Sequence, residues 1–296
     1  MSPAAAVPRA SMRQDATRLA PQAIGRAATL ALYDELALSP KPGLVTPTDS
    51  GSHTDMDART FMCSLLALRG YFVRIATLGA QGAPFEALQR CGIEAEARML
   101  TATGGINTHR GAVFMLGLLC AAAGAAAAGG QRVDPSSLRE TLSTRWGDAL
   151  AERARRAPTL SGGIAARRYG LRGAAAEAAA GFPVLFEVAV PAMQAAQARG
   201  ISREDELLDT LFSIMAVLDD SNLAHRGGIE GLRHAQRSAR AFLAAGGASR
   251  PDGVAAARII ADDFVSRRLS PGGAADTLAA ACWMRRLAVL APTSPE

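Results

Sequence analysis

Residues 111–131 form an unbroken run of 21 without a charge, in a chain otherwise dense in arginine and carboxylates. A stretch of that length either spans a bilayer or lies in the middle of a folded core. Most of it is Ala and Gly, which insert into lipid far less readily than Leu or Ile. A buried core helix is therefore expected, and no membrane partner. Ala has the highest helix propensity and a low strand preference, and aromatics make up only 5% of the 296 residues. Closely packed helices are the natural use of such a composition. With 49% hydrophobic and 20% charged residues, the chain is globular and long enough to bury a sizeable core.

Helical periodicity recurs along the chain. Over residues 17–38, Ile24, Ala27, Ala28, Ala31, Leu32 and Leu36 share one face, and Pro40 and Pro42 halt the helix. A loop over 39–56 follows. Asp57 opens a second helix with Phe61, Leu65, Leu68 and Phe72 on one side, and a third covers 85–100. A Gly-rich turn at 103–110 leads into the uncharged helix. Asp134 and Pro135 are a helix-start signal for 138–155. Residues 161–163 and 170–173 read as irregular zones. Further helices cover 204–218, 231–245 and 254–268, and Ser270-Pro271-Gly272-Gly273 introduces a last one ending near Leu290. The one plausible strand is 182–190. The expectation is an all-α fold: a single-domain bundle of about ten helices over 17–296, with Gly-rich polar loops forming a cleft. Residues 1–16 read as a disordered arm with no apolar segment of a secretory signal.

The net charge is +5, and of 32 basic residues only Lys41 is a lysine. The charge is diffuse, with no basic run interleaved with aromatics. No nucleic-acid partner is expected, and an anionic small molecule such as a polyphosphate suits the balance. Cys63, Cys91, Cys120 and Cys282 form no Cys-x-x-Cys pair. Neither a zinc site nor a disulfide framework fits them, so reduced thiols in a cytoplasmic protein are expected.

Chemistry-bearing residues gather in the loops. Lys41, beside Gly43 in a proline-stiffened segment, offers a compact cation for phosphate oxygens, or else an ordinary solvated turn. His53, Asp55 and Asp57 precede a helix, where they could hold a metal or where one Asp could serve as N-cap. Glu96 precedes a turn containing Thr103, Gly104, Asn107, His109 and Arg110. There the N-terminus of the uncharged helix adds free N–H donors and a positive dipole, making a polyphosphate cradle without a Walker loop. Glu177 lies in an Ala run, either exposed or half-buried with a raised pKa. Asp219 and Asp220, followed by Asn222 and Arg226, read as the end of an apolar helix. Negative charge is disfavoured there, so a cation or sugar hydroxyl would explain them.

In this order and spacing the segments resemble the triphosphoribosyl-dephospho-CoA synthase family. The similarity spans about residues 30–290. It rests on Lys41-Pro42-Gly43-Leu44-Val45, Gly51-Ser52-His53-Thr54-Asp55-Met56-Asp57, Gly92-Ile93-Glu94-Ala95-Glu96, residues 103–111, Glu177 with Gly181-Phe182-Pro183, Asp220 with Asn222 and Arg226, and Ser270-Pro271-Gly272-Gly273-Ala274-Ala275-Asp276. The resemblance implies an all-helical enzyme with ATP and 3′-dephospho-CoA as substrates. The 2′-hydroxyl of dephospho-CoA would attack the anomeric carbon of the ATP ribose, adenine would leave, and the triphosphate would stay on the product. The Ala-rich chain resembles the malonate decarboxylase branch more than the citrate lyase branch.

On this reading Glu96 or Asp220 is the base, with Glu177 a further acid–base candidate. Lys41, Gly43, His53, Thr103, Gly104, Asn107, His109, Arg110, Asn222 and Arg226 hold nucleotide. Asp55, Asp57 and Asp219 attend a Mg²⁺, and a homodimer is allowed for. One departure stands out: the family pattern has an Arg two residues before Glu177, where this chain has Ala175. The rivals are a Mg²⁺-dependent helical hydrolase of N-glycosidic or ADP-ribosyl bonds, which would use water as acceptor, and a non-catalytic helical binding protein with scattered polar loops.

Overall fold

The structure, a computed structural model, describes residues 19–290, so the arm expected over 1–16 lies outside the described residues. Among the described residues there are twelve α-helices and no strand. At the centre is α4 (Arg110–Ala128), the uncharged helix, in which every residue from Leu116 to Ala127 is buried. Of its most apolar window, 78% is packed inside the fold. The run is thus a core helix.

Around α4 pack α1 (Pro21–Ala37), α2 (Ala58–Ala80), α3 (Phe85–Ala102), α5 (Pro135–Arg155) and α12 (Gly272–Leu290). The α2/α4 seam explains the Ala and Gly content. A Cβ on Gly79 would lie 1.9 Å from the carbonyl oxygen of Ala121, and one on Gly124 would lie 2.0 Å from that of Ala76. The two backbones touch at reciprocal glycines, and no larger side chain fits. Tyr71 closes the upper end by donating its hydroxyl hydrogen bond to the Val113 carbonyl at 2.8 Å.

Local signals set the helix starts. Asp57 with Thr60 and Asp134 with Ser137 form reciprocal capping boxes for α2 and α5. Ser202 caps α9 (Arg203–Met215). Asp34 ties three helices together: Arg286 of α12 forks onto it with both bonds at 2.7 Å, and Arg203 of α9 lies 3.0 Å away.

Several expectations are corrected. Residues 182–190 form no strand. A wide helical turn, Val184–Ala189, runs directly into α8 (Val190–Ala198), because Pro183 fits a first turn and no neighbouring strand offers a ladder. The zone at 161–163 is the start of α6 (Ser161–Tyr169), and Glu177 lies on the short α7 (Ala174–Ala179). Asp219 and Asp220 end no helix, since α9 stops at Met215. Asp220 instead begins α10 (Ser221–Ala244), which bends at Gly228, where φ is 64°. The negative charge therefore sits at a favourable helix N-terminus. The last two elements are α11 (Gly253–Ser266) and α12.

Candidate active site

The N-terminal ends of α4, α10 and α12 and the loop before α2 surround a cleft of about 670 Å³. Its wall carries His53, Asp55, Glu96, Asn107, His109, Arg110, Asn222 and Arg226 of the residues singled out from sequence. Residues up to 173 positions apart thus line one cleft, which argues against scattered polar loops.

The loops are held by backbone-directed bonds. Arg226 donates from Nε to the Arg268 carbonyl at 2.8 Å and from its terminal nitrogen to the Ser52 carbonyl. Ser52 donates to the Leu269 carbonyl at 2.6 Å. Gly43 is wedged there, since a Cβ would sit 2.0 Å from the same Leu269 oxygen. Nε2 of His53 lies 3.0 Å from Oγ of Ser270. Burial and the Arg226 charge lower the His53 pKa, so the ring is neutral at physiological pH.

Across the cleft, Asn107 accepts the Arg110 backbone N–H at 3.1 Å, and Arg110 donates its Nε hydrogen bond to Glu96. His109 is buried. Its Nδ1 lies 2.6 Å from Oγ of Ser64, and its Nε2 is buried without a protein partner, in a residue that borders the cleft. Burial, helped by the Lys41 charge, pushes its pKa down to about 3. The ring is therefore neutral, with one buried nitrogen lacking a protein partner.

The other sequence candidates stand off the wall. Lys41 is no solvated loop cation: its ammonium is fully buried and donates to the carboxylate of Glu35 at 2.6 Å and the Glu35 carbonyl at 2.7 Å. It lies close enough to His109 to depress that residue's pKa, so it sits behind the cleft rather than across the molecule. A buried ammonium needs its carboxylate, and Lys41 does not line the cleft. Thr103 turns its hydroxyl onto the Ile106 carbonyl at 2.6 Å, and both it and Gly104 shape the turn. Asp57 is spent on capping α2, and Asp219 accepts the Arg172 N–H at 2.9 Å. Glu177 is buried beside Arg172 and accepts the Val184 N–H at 2.8 Å. Desolvation raises its pKa.

Asp220 lies just behind the wall. Oδ1 accepts the N–H groups of Asn222 and Leu223 at 2.9 and 3.3 Å, and Oδ2 accepts that of Ala274 at 3.0 Å. It straps α10 to α12, and burial raises its pKa to about 6. Asp55, Asp57 and Asp219 do not converge. Among the described residues, no three His, Cys, Asp or Glu side chains gather as a metal-ligand set.

Two carboxylates on the wall carry no role in the sequence reading: Glu35 and Asp276. Asp276 is enclosed by protein but open to the cleft. It is tucked under the first turn of α4, where a Cβ on Gly111 would come within 1.9 Å of its Oδ2. Desolvation, then Glu35 and Asp220, raise its pKa well above the ordinary carboxylate value. The available signal was that Asp276 is the lone acid in the Ala-rich α12. Ala174 and Ala175 also line the cleft, so the missing arginine at 175 would have faced it, and Arg153 stands on the same wall.

An all-helical fold with a cleft joining guanidiniums, a helix N-terminus and enclosed carboxylates defines an enzyme for a phosphorylated substrate. Residues 21–294 match the family described as CitG: ATP:dephospho-CoA triphosphoribosyl transferase. Relatives include a probable 2-(5″-triphosphoribosyl)-3′-dephosphocoenzyme-A synthase from Acinetobacter calcoaceticus, 37% identical over 88% of this chain and 89% of its own. Another, with the same description, from Azotobacter vinelandii is 40% identical over 96% and 94%. The 2-(5″-triphosphoribosyl)-3′-dephosphocoenzyme-A synthase of Pectobacterium atrosepticum is 40% identical over 84% of both chains. No solved structure matches the chain. The chain belongs to the ATP:dephospho-CoA triphosphoribosyl transferase family. Its substrates are ATP and 3′-dephospho-CoA.

Proposed function

We propose that the chain makes 2′-(5″-triphosphoribosyl)-3′-dephospho-CoA and adenine for the prosthetic group of malonate decarboxylase, and that the reaction runs in the cleft at the N-terminus of α4. The observation that carries the site is the meeting of His53, Asn107, His109, Arg110 and Arg226 around an enclosed carboxylate, Asp276. Arg110, Arg226 and the positive end of the α4 dipole suit a triphosphate.

Displacement at an anomeric carbon passes through an oxocarbenium-like state that nearby carboxylates stabilise. The acceptor 2′-hydroxyl must lose its proton as the new C–O bond forms. The C–N bond to adenine breaks, and the departing base gains a proton. Asp276 has the raised pKa and the cleft-facing position of a proton acceptor. Glu96, paired with Arg110, serves phosphate and ribose positioning, and Asp220 holds α10 and α12 in register. Asn222 on the wall reaches the sugar hydroxyls.

Mg²⁺ carried on the triphosphate would neutralise its charge and needs only one or two protein carboxylates, which Asp55 and Glu96 can provide. The proposal extends to a cytoplasmic enzyme able to pair as a homodimer, for which elution volume at two concentrations is the check. The Ala-rich sequence supports the malonate branch.

Mass spectrometry of reactions with ATP, Mg²⁺ and 3′-dephospho-CoA tests the activity: one product containing both substrates less adenine is expected. Adenine released at the same rate without dephospho-CoA would favour a hydrolase. Loss of growth on malonate but not citrate after gene deletion is the expected branch result, and the reverse would overturn it.

A further inference from the structure

The cleft extends beyond its polar mouth along one face of α3. Phe85, Leu88, Gln89, Gly92, Ile93 and Glu96 all line it. Their spacing of three and four residues places them on a single helical stripe. Phe114 and Leu118 of α4 face the same space, one turn apart. From Glu96 to Phe85 the stripe is uncharged, and it runs about 16 Å at the rise of an α-helix. Both of the aliphatic side chains left most open on this wall, Ile93 at 60% and Leu160 at 50%, point to a ligand that would cover them. The charged end is as well defined. Arg110 pairs with Glu96, and the Arg153 guanidinium lies 5.4 Å from the centre of the Phe114 ring.

We propose that this groove holds the pantetheine arm of 3′-dephospho-CoA, with the diphosphate that joins the arm to adenosine seated at Arg153. The inference rests on the transferase reading of the cleft. The arm is an uncharged chain of two amides, a hydroxyl and a thiol. From ester oxygen to sulfur it is as long as four to five extended residues, roughly 15 Å. Its length matches the groove, its lack of charge matches the lining, and its charged end meets the Arg153 guanidinium. Gln89, the one polar side chain in the middle of the stripe, faces the height of an amide. ATP has no comparable uncharged extension, so the groove distinguishes acceptor from donor.

The test uses Ile93→Trp and Gly92→Leu, which narrow the groove. Ile93 is exposed, and a Cβ on Gly92 meets only the Tyr71 hydroxyl at 3.6 Å, so both variants keep the fold. Melting temperature confirms this. With the full-length enzyme, the KM for 3′-dephospho-CoA is expected to rise roughly tenfold or more while the KM for ATP stays within about twofold. ADP, which keeps the acceptor hydroxyl but lacks the arm, should be a poor acceptor and equally poor with wild type and variants. An ATP KM that rises instead, or neither KM changing, overturns the arm assignment. A wild-type enzyme that forms no triphosphoribosyl product overturns the transferase reading itself, so the two failures are separable.

Discussion

Helix α4 belongs to two environments. From Leu119 to Ala127 it is sealed, and at Gly124 its backbone touches α2 so closely that a methyl group would collide with the Ala76 carbonyl. At its N-terminus, a few turns away, the same helix opens onto a cleft holding a neutral buried imidazole, a guanidinium pair and a carboxylate with a raised pKa. The sealed half gains stability from close packing of small residues. The open half spends stability on buried polar groups that protein alone does not satisfy. Rigidity in one half is what lets strained electrostatics persist in the other.

The contrast can be broken at either end. The largest effect is expected from Asp276→Asn, which keeps size and removes the proton acceptor. It should lower kcat about 10²- to 10⁴-fold without lowering the melting temperature, because the buried charge it removes is itself unfavourable. In wild type, kcat/KM should fall as pH drops through a value well above the ordinary carboxylate range, and the variant should lose that limb. Unchanged kcat would return the base role to Glu96.

Next is His109→Gln, judged by stability. The folded-state pKa of His109 is about 3, against 6.5 unfolded, so the unfolded chain binds a proton that the folded chain refuses. Stability from this group is fully present above pH 6.5 and is lost as pH falls toward 3. Denaturant titrations should show the variant gaining on wild type by up to about 5 kcal/mol over that window. Asp220, with its pKa raised to about 6, works in the opposite sense in both proteins and cancels in the comparison. Parallel pH profiles would mean the ring is charged in the fold.

In the sealed half, Gly124→Val forces α2 and α4 apart. Destabilisation of about 1–3 kcal/mol or more is expected, with KM values little changed in whatever folds. The smallest effect belongs to Asp57→Ala. Loss of a helix cap should lower the melting temperature by roughly 2–4 °C and leave kcat intact, whereas a metal ligand would cost activity.

The sealed half was legible because its constraint is local. An uncharged run dominated by Ala and Gly has few uses other than a close-packed core helix, and the Asp57 and Asp134 starts follow from their own side chains. The open half was legible in position but only partly in role. Glycine-rich turns announced the cleft, and His53, Asn107, Arg110 and Arg226 reached it. Lys41 did not, because the partner that buries its charge, Glu35, lies on a helix six residues earlier and no spacing rule marks that pair. Asp276 stood at the end of the Ser270–Asp276 segment but carried no role, because spacing along one helix does not show what packs over it. Only the approach of α12 to Gly111 encloses it. Residues 182–190 misled because β-branched content suggests a strand wherever tertiary neighbours are unknown.

The most direct measurement is a crystal structure with 3′-dephospho-CoA and a non-transferable ATP analogue. The triphosphate is expected between Arg110 and Arg226, and the acceptor 2′-hydroxyl within about 3 Å of the Asp276 carboxylate. Density for both ligands elsewhere would contradict it, for example in the groove between α5, α8 and α12 lined by Val190, Met193 and Met284.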